Sequence, residues 1–499
     1  MIHILLLSAW AQAASPAAED AQNFIVSVAR YGDDNTVRRG TPWWTNIQDP
    51  GLHEVLKVGL QQNPDLLSAD ARVELAKANT WQSLGGLLPN LALEAMTQEA
   101  PTDGMSLSPF SASMPDYSAA FESMGELMQQ VGTFTGTEPE DVPDFSTETS
   151  NDTPDTYRQS STMLKGSWAI DVFGRQTMST IAAGKDASAA NESRQATMRA
   201  LSAQIGSAWY DLVAAREQVR IVNEQVVAAR EMLELVDLRY ERGEGSALDV
   251  LQQRQQLAST EALLPRAKAG LTAAHGRMAI ILGEAPSSTL PDSSGWPDVG
   301  ERPNIGKPGR LLQDRADIRA AVNQLESANF QRGSAIASLA PTLTLTGQYG
   351  RQYLTLDETE DVDTWGVGAV ASLPLFGGGR THAGIKAAKA GQDIAQMQLR
   401  TTVLSAVQQV ESAIAQEQAA SDTLTAVLAQ ADAAEKAWME SRAHYLQGLT
   451  PYVTVLAAHA ANQAAQIGLI DAQRGRIQAR IQLHSALGGT WLANKGSFQ

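Results

Sequence analysis

The sequence predicts a mainly α-helical protein that also contributes a portion of a membrane β-barrel. Three observations lead to this fold class. They are a seven-residue apolar repeat over a very long segment, four segments of alternating apolar residues, and a duplication of the whole arrangement within the chain. A sustained seven-residue repeat indicates coiled-coil packing, whereas strict alternation indicates strands with two different faces.

The apolar repeat lies in the segment from Arg175 to Tyr240, which contains no proline. A helix of that length is on the order of 100 Å long, at about 1.5 Å per residue, and exceeds the width of an ordinary globular domain. The two core positions of the repeat are occupied by Ile205, Ala208, Leu212, Ala215, Val219, Val222, Val226, Ala229, Leu233, Val236 and Tyr240. We therefore expect one uninterrupted coiled-coil helix, ended by Gly243 in a left-handed conformation.

The second half of the chain repeats the pattern of the first half. Residues 65–93 align without gaps with residues 317–345 at an offset of 252, which pairs Pro89 with Pro341. The segment from Arg380 to Tyr445 has the same length as the first long helix and follows it at an offset of 205. The two offsets differ by 47 residues, which indicates an insertion of that length in the first half.

These patterns divide the chain into a signal peptide (1–13), an N-terminal lead (14–50), a first repeat (51–283), a linker (284–310), a second repeat (311–488) and a C-terminal tail (489–499). The first repeat is predicted to contain strands at about 90–97 and 162–173, a long helix over 175–240 and a return helix over 246–282. The second is predicted to contain strands at about 341–351 and 363–375, a long helix over 380–445 and a return helix over 451–487. Asp65 is the predicted N-cap of the helix that follows Asn63-Pro64.

The insertion at about 97–161 is strongly acidic. It contains twelve Asp and Glu residues and a single basic residue, Arg158. We expect a solvated loop with at most one short helix, around 117–131. Because the insertion joins two strands at their tip, it would lie outside the cell if those strands belong to an outer-membrane barrel.

The composition excludes several classes of function. Cysteine is absent, which rules out disulfides, thiolate zinc sites and cysteine nucleophiles. No phosphate-binding loop, dinucleotide fingerprint, serine-hydrolase elbow or HExxH motif occurs, so we expect no enzyme activity, no cofactor and no metal. His275 and His459 are expected at helix surfaces. The formal net charge of −17 argues against binding to nucleic acid.

The N-terminus has the features of an export signal. Residues 2–10 form a short apolar core, and Ala11-Gln12-Ala13 supplies a cleavage site. Leu7-Ser8-Ala9 matches the lead-in of a bacterial lipobox, but Trp10 stands where the lipidated cysteine would be. We therefore expect an unlipidated mature N-terminus near Ala14. The sequence contains no run of 18 apolar residues, so it predicts no transmembrane helix.

Four strands per chain lead to an expected oligomer. An open four-stranded sheet has two unpaired edges and cannot span a membrane on its own. Three copies would supply twelve strands, enough for a barrel that conducts. We therefore expect a homotrimer.

From Trp43 to Trp491 the chain resembles TolC-family outer-membrane channels, in particular the OprM/NodT-type efflux subgroup. The resemblance rests on the duplicated architecture, the segment from Leu311 to Ile318, and Arg239-Tyr240-x-x-Gly243 followed by Asp249-Val250-Leu251. It implies a TolC-like trimeric 12-stranded β-barrel, four strands per chain, continuous with an α-helical periplasmic tunnel. The implied location is the outer membrane of a Gram-negative bacterium, in contact with its lipid.

The resemblance also implies a function and partners. The protein would be the outer-membrane component of a tripartite efflux pump that passively conducts drugs or other small molecules. Its partners would be a periplasmic adaptor (membrane fusion) protein and an inner-membrane transporter of RND type. A type I protein secretion duct would have the same architecture. A periplasmic coiled-coil adaptor or scaffold is an alternative of a different class, but such an adaptor would need only one helical hairpin.

The resemblance assigns the site to the two turns between long and return helices. The periplasmic entrance and adaptor contact would be formed by Arg239, Tyr240, Gly243, Tyr445 and Gly448, with plain helix-end packing as the alternative for the two tyrosines. Where the family often has acidic residues that narrow the entrance, this chain has Thr454 and Ala457. Asp249 and Glu244 are the available substitutes, so the gate constriction would involve Asp249, Glu244 and Thr454. Capping of its own helix is the alternative role for Asp249.

Overall fold

A computed structural model describes residues 43–101, 156–293, 295–300, 302–303, 315–355 and 359–488. The signal peptide, most of the N-terminal lead, the central part of the acidic insertion with its predicted helix, the segment 304–314 and the C-terminal tail lie outside the described residues. The chain forms two compact units. The helical unit contains the chain up to Leu84, Phe173–Ala340 and the chain from Pro374, and the sheet unit contains Gly85–Val172 and Pro341–Leu373.

Seven α-helices form the described part of the helical unit, after a short 3-10 helix at Trp43–Asn46. They are α1 (Pro50–Gln62), α2 (Pro64–Gly85), α3 (Arg175–Glu241), α4 (Ala247–Leu282), α5 (Ala316–Ala337), α6 (Arg380–Leu446) and α7 (Tyr452–Leu487). The duplication is visible in their lengths, because α3 and α6 both contain 67 residues and α4 and α7 both contain 36. None of the described helices combines the length and the apolar character needed to cross a membrane.

The start of α2 differs from the prediction. Asn63, rather than Asp65, caps this helix, since its Oδ1 atom accepts hydrogen bonds from the backbone N–H groups of Asp65 and Leu66 at 2.9 and 3.2 Å. Pro64 occupies the first helical position, where its missing N–H group costs nothing. Asp65 lies in the first turn and favours the helix through its charge.

The main core of the helical unit surrounds Trp209 of α3, which is fully buried. Its indole N–H group donates to the carboxylate of Asp49, 2.8 Å away, and Tyr210 donates to the same oxygen at 3.2 Å. The other oxygen of Asp49 accepts from the backbone of Leu52 at 3.2 Å and caps α1. A smaller core lies between α5 and α6, around Ile318, Leu325, Leu399 and Val403.

The sheet unit contains four antiparallel strands in the order β1-β2-β3-β4. Their bounds are β1 (Asn90–Pro101), β2 (Thr156–Ile170), β3 (Thr342–Thr355) and β4 (Thr359–Ser372). The register places Leu93, Leu164, Tyr349 and Trp365 in one row across the sheet. One face is therefore apolar, whereas the other carries polar pairs such as Glu94 and Lys165, 2.7 Å apart.

The described strands do not end where the sequence predicts. The first hairpin extends to Pro101 and Thr156, into the predicted acidic insertion, and β2 ends at Ile170 rather than at residue 173. The extension is polar, and its cross-strand pairs include Glu99 with Arg158 at 3.2 Å. An apolar alternation cannot detect such an extension.

Candidate functional site

The two turns that follow the long helices have the same backbone geometry. Gly243 has a φ of 76° and Gly448 a φ of 73°, a conformation that glycine adopts without strain. In the first turn the N–H group of Glu244 donates to the carbonyl of Arg239 at 2.9 Å, and in the second Leu449 donates to His444 at 2.9 Å. Both turns are thus closed in the same way, and both glycines are required by the turn.

Arg239 connects the first turn to the second. Its guanidinium group donates a hydrogen bond to the backbone carbonyl of Tyr445 and lies 4.5 Å from the centroid of the Tyr445 ring. The same side chain reaches the carbonyl of Glu244 at 3.4 Å. Because α3 and α6 belong to different repeats, this single side chain links the ends of the two helical hairpins.

The two tyrosines that occupy equivalent positions in the repeats have different surroundings. Tyr445 is buried, with 4% of its surface exposed, whereas Tyr240 is 49% exposed. Burial raises the pKa of Tyr445, and the negative charge of Asp249 adds to this effect while Arg239 opposes it. Helix-end packing is therefore evident for Tyr445, whereas about half of the Tyr240 surface is exposed.

Tyr445 packs in an apolar cluster between the hairpins. Its ring meets that of Tyr452 edge to face, with centroids 5.6 Å apart. The remaining buried members come from α3, α4 and α7: Met232, Val236, Val250 and Val455. The cluster holds the start of α7 against the first hairpin.

A row of buried polar side chains continues from this cluster. The hydroxyl of Tyr452 donates to Gln253, whose amide nitrogen donates to the carbonyl of Ala229 at 2.7 Å. Further along, Gln256 donates to Gln463 at 3.1 Å. Sequence reasoning missed this row, although Gln253 lies three residues after the buried Val250, on the apolar stripe of α4.

His459 belongs to the same region and corrects an expectation. It is buried, with 6% of its surface exposed, and its ring lies 5.5 Å from that of Trp438 on α6. Burial lowers its pKa from the ordinary value of 6.5. The prediction of a surface position was wrong because the stripe of α7 that faces its neighbours also contains polar residues. His275 is half-buried.

Asp249 completes a capping box at the start of its own helix, in which Ser246 is the N-cap. Its backbone N–H group donates to the hydroxyl of Ser246 at 3.2 Å, and its carboxylate accepts from the backbone of Ser246 at 3.2 Å. This reciprocal pair satisfies two otherwise unpaired donors at the start of α4. Glu244 and Thr454 have exposed side chains. A capping role for Asp249 leaves one carboxylate oxygen open to a second role.

Large apolar side chains are exposed around both turns. Such a concentration indicates an interaction surface, because isolated exposed apolar residues are common but clusters are not. The exposed fractions are 43% for Leu238, 61% for Leu248, 61% for Leu251, 49% for Leu446, 66% for Leu449 and 58% for Val453. We name these six residues, with Tyr240, the turn surface.

Known proteins resemble the chain in both sequence and fold. The family model "Outer membrane efflux protein" matches residues 141–284 and 308–489, one range in each repeat. Nodulation protein T of Rhizobium leguminosarum bv. viciae is 27% identical over 458 residues, which cover 91% of this chain and 85% of that protein. The pyoverdine export outer membrane protein OpmQ of Pseudomonas aeruginosa is 26% identical, covering 91% of this chain and 88% of the relative.

Solved channel structures have the same fold. The outer-membrane channel OprN matches with a TM-score of 0.75 and 23% identity, over 93% of this chain and 96% of that one. The CmeC outer membrane channel of Campylobacter jejuni matches with a TM-score of 0.76 and 19% identity, over 92% and 90%. The chain therefore belongs to the outer membrane efflux protein family: it is a non-enzymatic efflux channel with the TolC-like fold, located in the outer membrane of a Gram-negative bacterium.

Proposed function

We propose that this channel is the outer-membrane component of a tripartite efflux pump. It assembles as a homotrimer, and its helical part extends through the periplasm as a tunnel. It passively conducts drugs or other small molecules, while an inner-membrane transporter of RND type supplies energy and substrate choice. A periplasmic adaptor protein joins the two. The linkage of the two hairpin ends by Arg239 and Tyr445 is the observation that carries this proposal.

The turn surface supports docking of an adaptor. Its apolar residues are exposed on both hairpins, and Arg239 keeps the two turns together. An adaptor that buries these side chains can gain about 25 cal/mol for each Å² removed from water. Opening of the entrance would move the two turns apart, which requires the contact between Arg239 and Tyr445 to break.

The sheet supports contact with lipid. Its apolar face exposes Leu93, Tyr349 and Trp365, with exposed fractions of 73%, 63% and 73%. Aromatic residues of this kind are enriched where a barrel meets the membrane interface. Twelve strands from three copies would turn this face toward the membrane and the polar face toward a water-filled channel.

A constriction at the entrance would involve Asp249, Glu244 and Thr454. Three copies would bring three Asp249 carboxylates to the entrance, and a ring of carboxylates concentrates cations. Glu244 would add to this negative charge. Thr454 cannot, so the first hairpin would supply the charge that the second hairpin lacks.

Susceptibility of a deletion strain tests the proposal. Loss of the gene should increase sensitivity to a panel of dyes, detergents and antibiotics, and the unmodified gene should restore resistance. Replacement of Leu248 and Leu449 by Asp should prevent restoration while leaving the amount of trimer in the outer membrane unchanged. Unchanged susceptibility, together with loss of a secreted protein, would assign the chain to type I secretion instead.

A further inference from the structure

The helix α4 has a proline in its interior. Pro265 lies near the midpoint of α4, and no other described helix contains a proline after its first residue. A proline lacks the N–H group that would donate to the carbonyl four residues earlier, here that of Glu261, and its ring crowds that carbonyl. A helix therefore bends most easily at such a point. The equivalent residue of α7, at the offset of 205, is Ile470, so only the first hairpin has this feature.

The buried residues of α4 differ on the two sides of Pro265. After the proline they are all apolar, and several belong to the main core around Trp209. Before the proline, two of the three buried residues are polar, Gln253 and Thr260. The half of α4 that follows Pro265 is therefore anchored by apolar burial, whereas the half that starts at the turn is held mainly by hydrogen bonds.

The turn-proximal half of α4 contacts α7 through amide side chains. Gln256 donates to Gln463 at 3.1 Å, and Gln463 donates to the hydroxyl of Thr260 at 3.4 Å. On α3, Gln225 donates to Gln466 of α7 at 2.9 Å. Water can replace such hydrogen bonds when two helices separate, whereas separation of an apolar contact exposes apolar surface. We name the following residues the polar seam: Gln225, Gln253, Gln256, Thr260, Gln463 and Gln466.

A cavity of about 230 Å³ lies between the polar seam and the main core, among α3, α4 and α7. Its α4 wall includes the small residues Gly270 and Ala274, and a methyl group added at Gly270 would meet nothing within 4 Å. Along α7 it is lined by residues between Ile467 and Arg474, after the seam and before Ile477 of the main core. The cavity thus leaves room for α4 to change direction close to Pro265 without displacing the core.

The two helices of the first hairpin are joined to each other below the cavity. Gln253 of α4 donates to the carbonyl of Ala229 on α3 at 2.7 Å, and Arg230 of α3 pairs with Glu261 of α4 at 2.7 Å. These contacts favour a movement of both helices together. The helix α3 is continuous and can follow by smooth curvature, as long helices do. The shorter α4 is fixed in the core at one end and needs a defined bending point.

We infer that α4 bends at Pro265 when the entrance opens. The segment before Pro265 moves with its turn and separates from α7 along the polar seam, while the segment after Pro265 stays in the main core. The inference rests on the proposed opening of the entrance and assigns the pivot of the first hairpin to one residue. The second hairpin has Ile470 in this place, so its return helix has no corresponding pivot.

Replacement of Pro265 by Ala tests the pivot. Alanine restores the N–H group that donates to the carbonyl of Glu261, so α4 should become stiffer. Single-channel recordings in planar bilayers should then show an open probability about tenfold lower than that of the unmodified protein. Gly276→Ala is the matched control, because it also strengthens α4 but lies in the anchored half, where the added methyl group meets only Pro286 at 3.9 Å. Both variants should raise the melting temperature, and only Pro265→Ala should change the open probability.

Distances between spin labels measure the bend directly, because the natural chain contains no cysteine. Nitroxides at Gln255→Cys and Thr272→Cys, two exposed positions of α4, lie on opposite sides of Pro265. Dilution of the labelled chain with an excess of unlabelled chain restricts the measurement to distances within one copy. The distribution of distances should be broad in the unmodified protein and in Gly276→Ala, and narrow in Pro265→Ala.

The polar seam provides a further measurement. Gln256→Leu combined with Gln463→Leu replaces an amide contact by an apolar one and should also lower the open probability, whereas Gln255→Leu, at an exposed position, should not. An unchanged open probability in the double variant would overturn the seam as the line of separation. An unchanged open probability in Pro265→Ala, or an equally broad distance distribution, would overturn the pivot and leave the channel function intact. Absence of current from the unmodified protein would overturn the proposed function itself.

Discussion

Arg239 and Tyr445 form the contact that joins the two helical hairpins at their turns. The guanidinium group lies 4.5 Å from the centroid of the Tyr445 ring and donates a hydrogen bond to the carbonyl of the same residue. A cation over an aromatic ring contributes about 0.5–2 kcal/mol, and a hydrogen bond from a charged group about 1.5–3 kcal/mol. One arginine thus couples the first repeat to the second.

Replacement of Arg239 by Ala should favour the open entrance. Loss of about 2 kcal/mol from the closed state corresponds to a more than tenfold rise in the open population. Single-channel recordings in planar bilayers should then show a higher open probability. Arg242→Ala, which removes an exposed cation from the same turn, is the control. Equal behaviour of both variants and the unmodified protein would exclude a role for Arg239 in closure.

Replacement of Asp249 separates its capping role from its charge. The amide oxygen of Asn can still accept from the backbone of Ser246, as the carboxylate of Asp249 does, so Asp249→Asn should leave the melting temperature within about 2 °C and remove the negative charge from the entrance. If Asp249 lines the constriction, cation selectivity should fall and conductance should change. Asp237→Asn removes a carboxylate from α3 two residues before Arg239 and serves as the control. Unaltered selectivity in Asp249→Asn would leave capping as its only role.

Replacement of a turn glycine by Ala should lower the stability of the protein, whereas replacement of a glycine within a helix should raise it. Gly448 has a φ of 73°, where a Cβ atom costs about 1–2 kcal/mol, so Gly448→Ala should lower the melting temperature. Gly270 lies within α4, and a methyl group there would meet nothing within 4 Å. Gly270→Ala should therefore raise stability by about 0.5–1 kcal/mol. Calorimetry of the detergent-solubilised protein measures both changes.

The sequence was sufficient for the fold class, which is confirmed. The periodicity is visible in the heptad repeat from Ile205 to Tyr240. The duplication is visible in the aligned segments that pair Pro89 with Pro341. Both are patterns of residue type and spacing, which a single sequence displays directly. Elements that depend on polar pairs were harder to predict. The extension of the first hairpin, which includes the pair of Glu99 and Arg158, is an example.

The surroundings of single site residues could not be predicted. Tyr240 and Tyr445 are equivalent in the repeat, yet only Tyr445 is buried, because Arg239 and Tyr452 enclose it from other helices. Gln253 lies on the apolar stripe of α4, but its partner Tyr452 belongs to the other repeat and cannot be identified from the stripe. Contacts between distant segments decide these cases, and no local pattern encodes them.

Acidification should destabilise the helical unit through His459. Burial lowers the pKa of this residue from 6.5, so the unfolded chain binds a proton at a pH where the folded chain does not. Its contribution to stability is present above pH 6.5 and is lost as the pH falls below that value. His459→Gln should therefore reduce the loss of melting temperature between about pH 7 and pH 5. His382→Gln, at an exposed position of α6, should leave the loss unchanged.

Glu417 of α6 lies among three arginines. Its carboxylate is 2.5 Å from Arg476, 2.8 Å from Arg480 and 3.3 Å from Arg302. Burial alone would raise the pKa of Glu417, but the hydrogen bonds and charges of Arg480 and Arg476 outweigh it and lower the pKa. Arg480 also donates to the carbonyl of Val299 at 2.9 Å, so the cluster holds part of the linker against α7.

Replacement of Glu417 by Gln should be the most destabilising of these changes. The substitution keeps the shape but removes the charged carboxylate that accepts from Arg480, of which 2% is exposed. Breaking a buried pair in this way costs about 3–5 kcal/mol. Glu411→Gln, at an exposed position of the same helix, should change stability by less than about 0.5 kcal/mol. Denaturant unfolding of both variants measures the difference, and similar midpoints would mean that solvent already reaches the cluster and compensates Arg480.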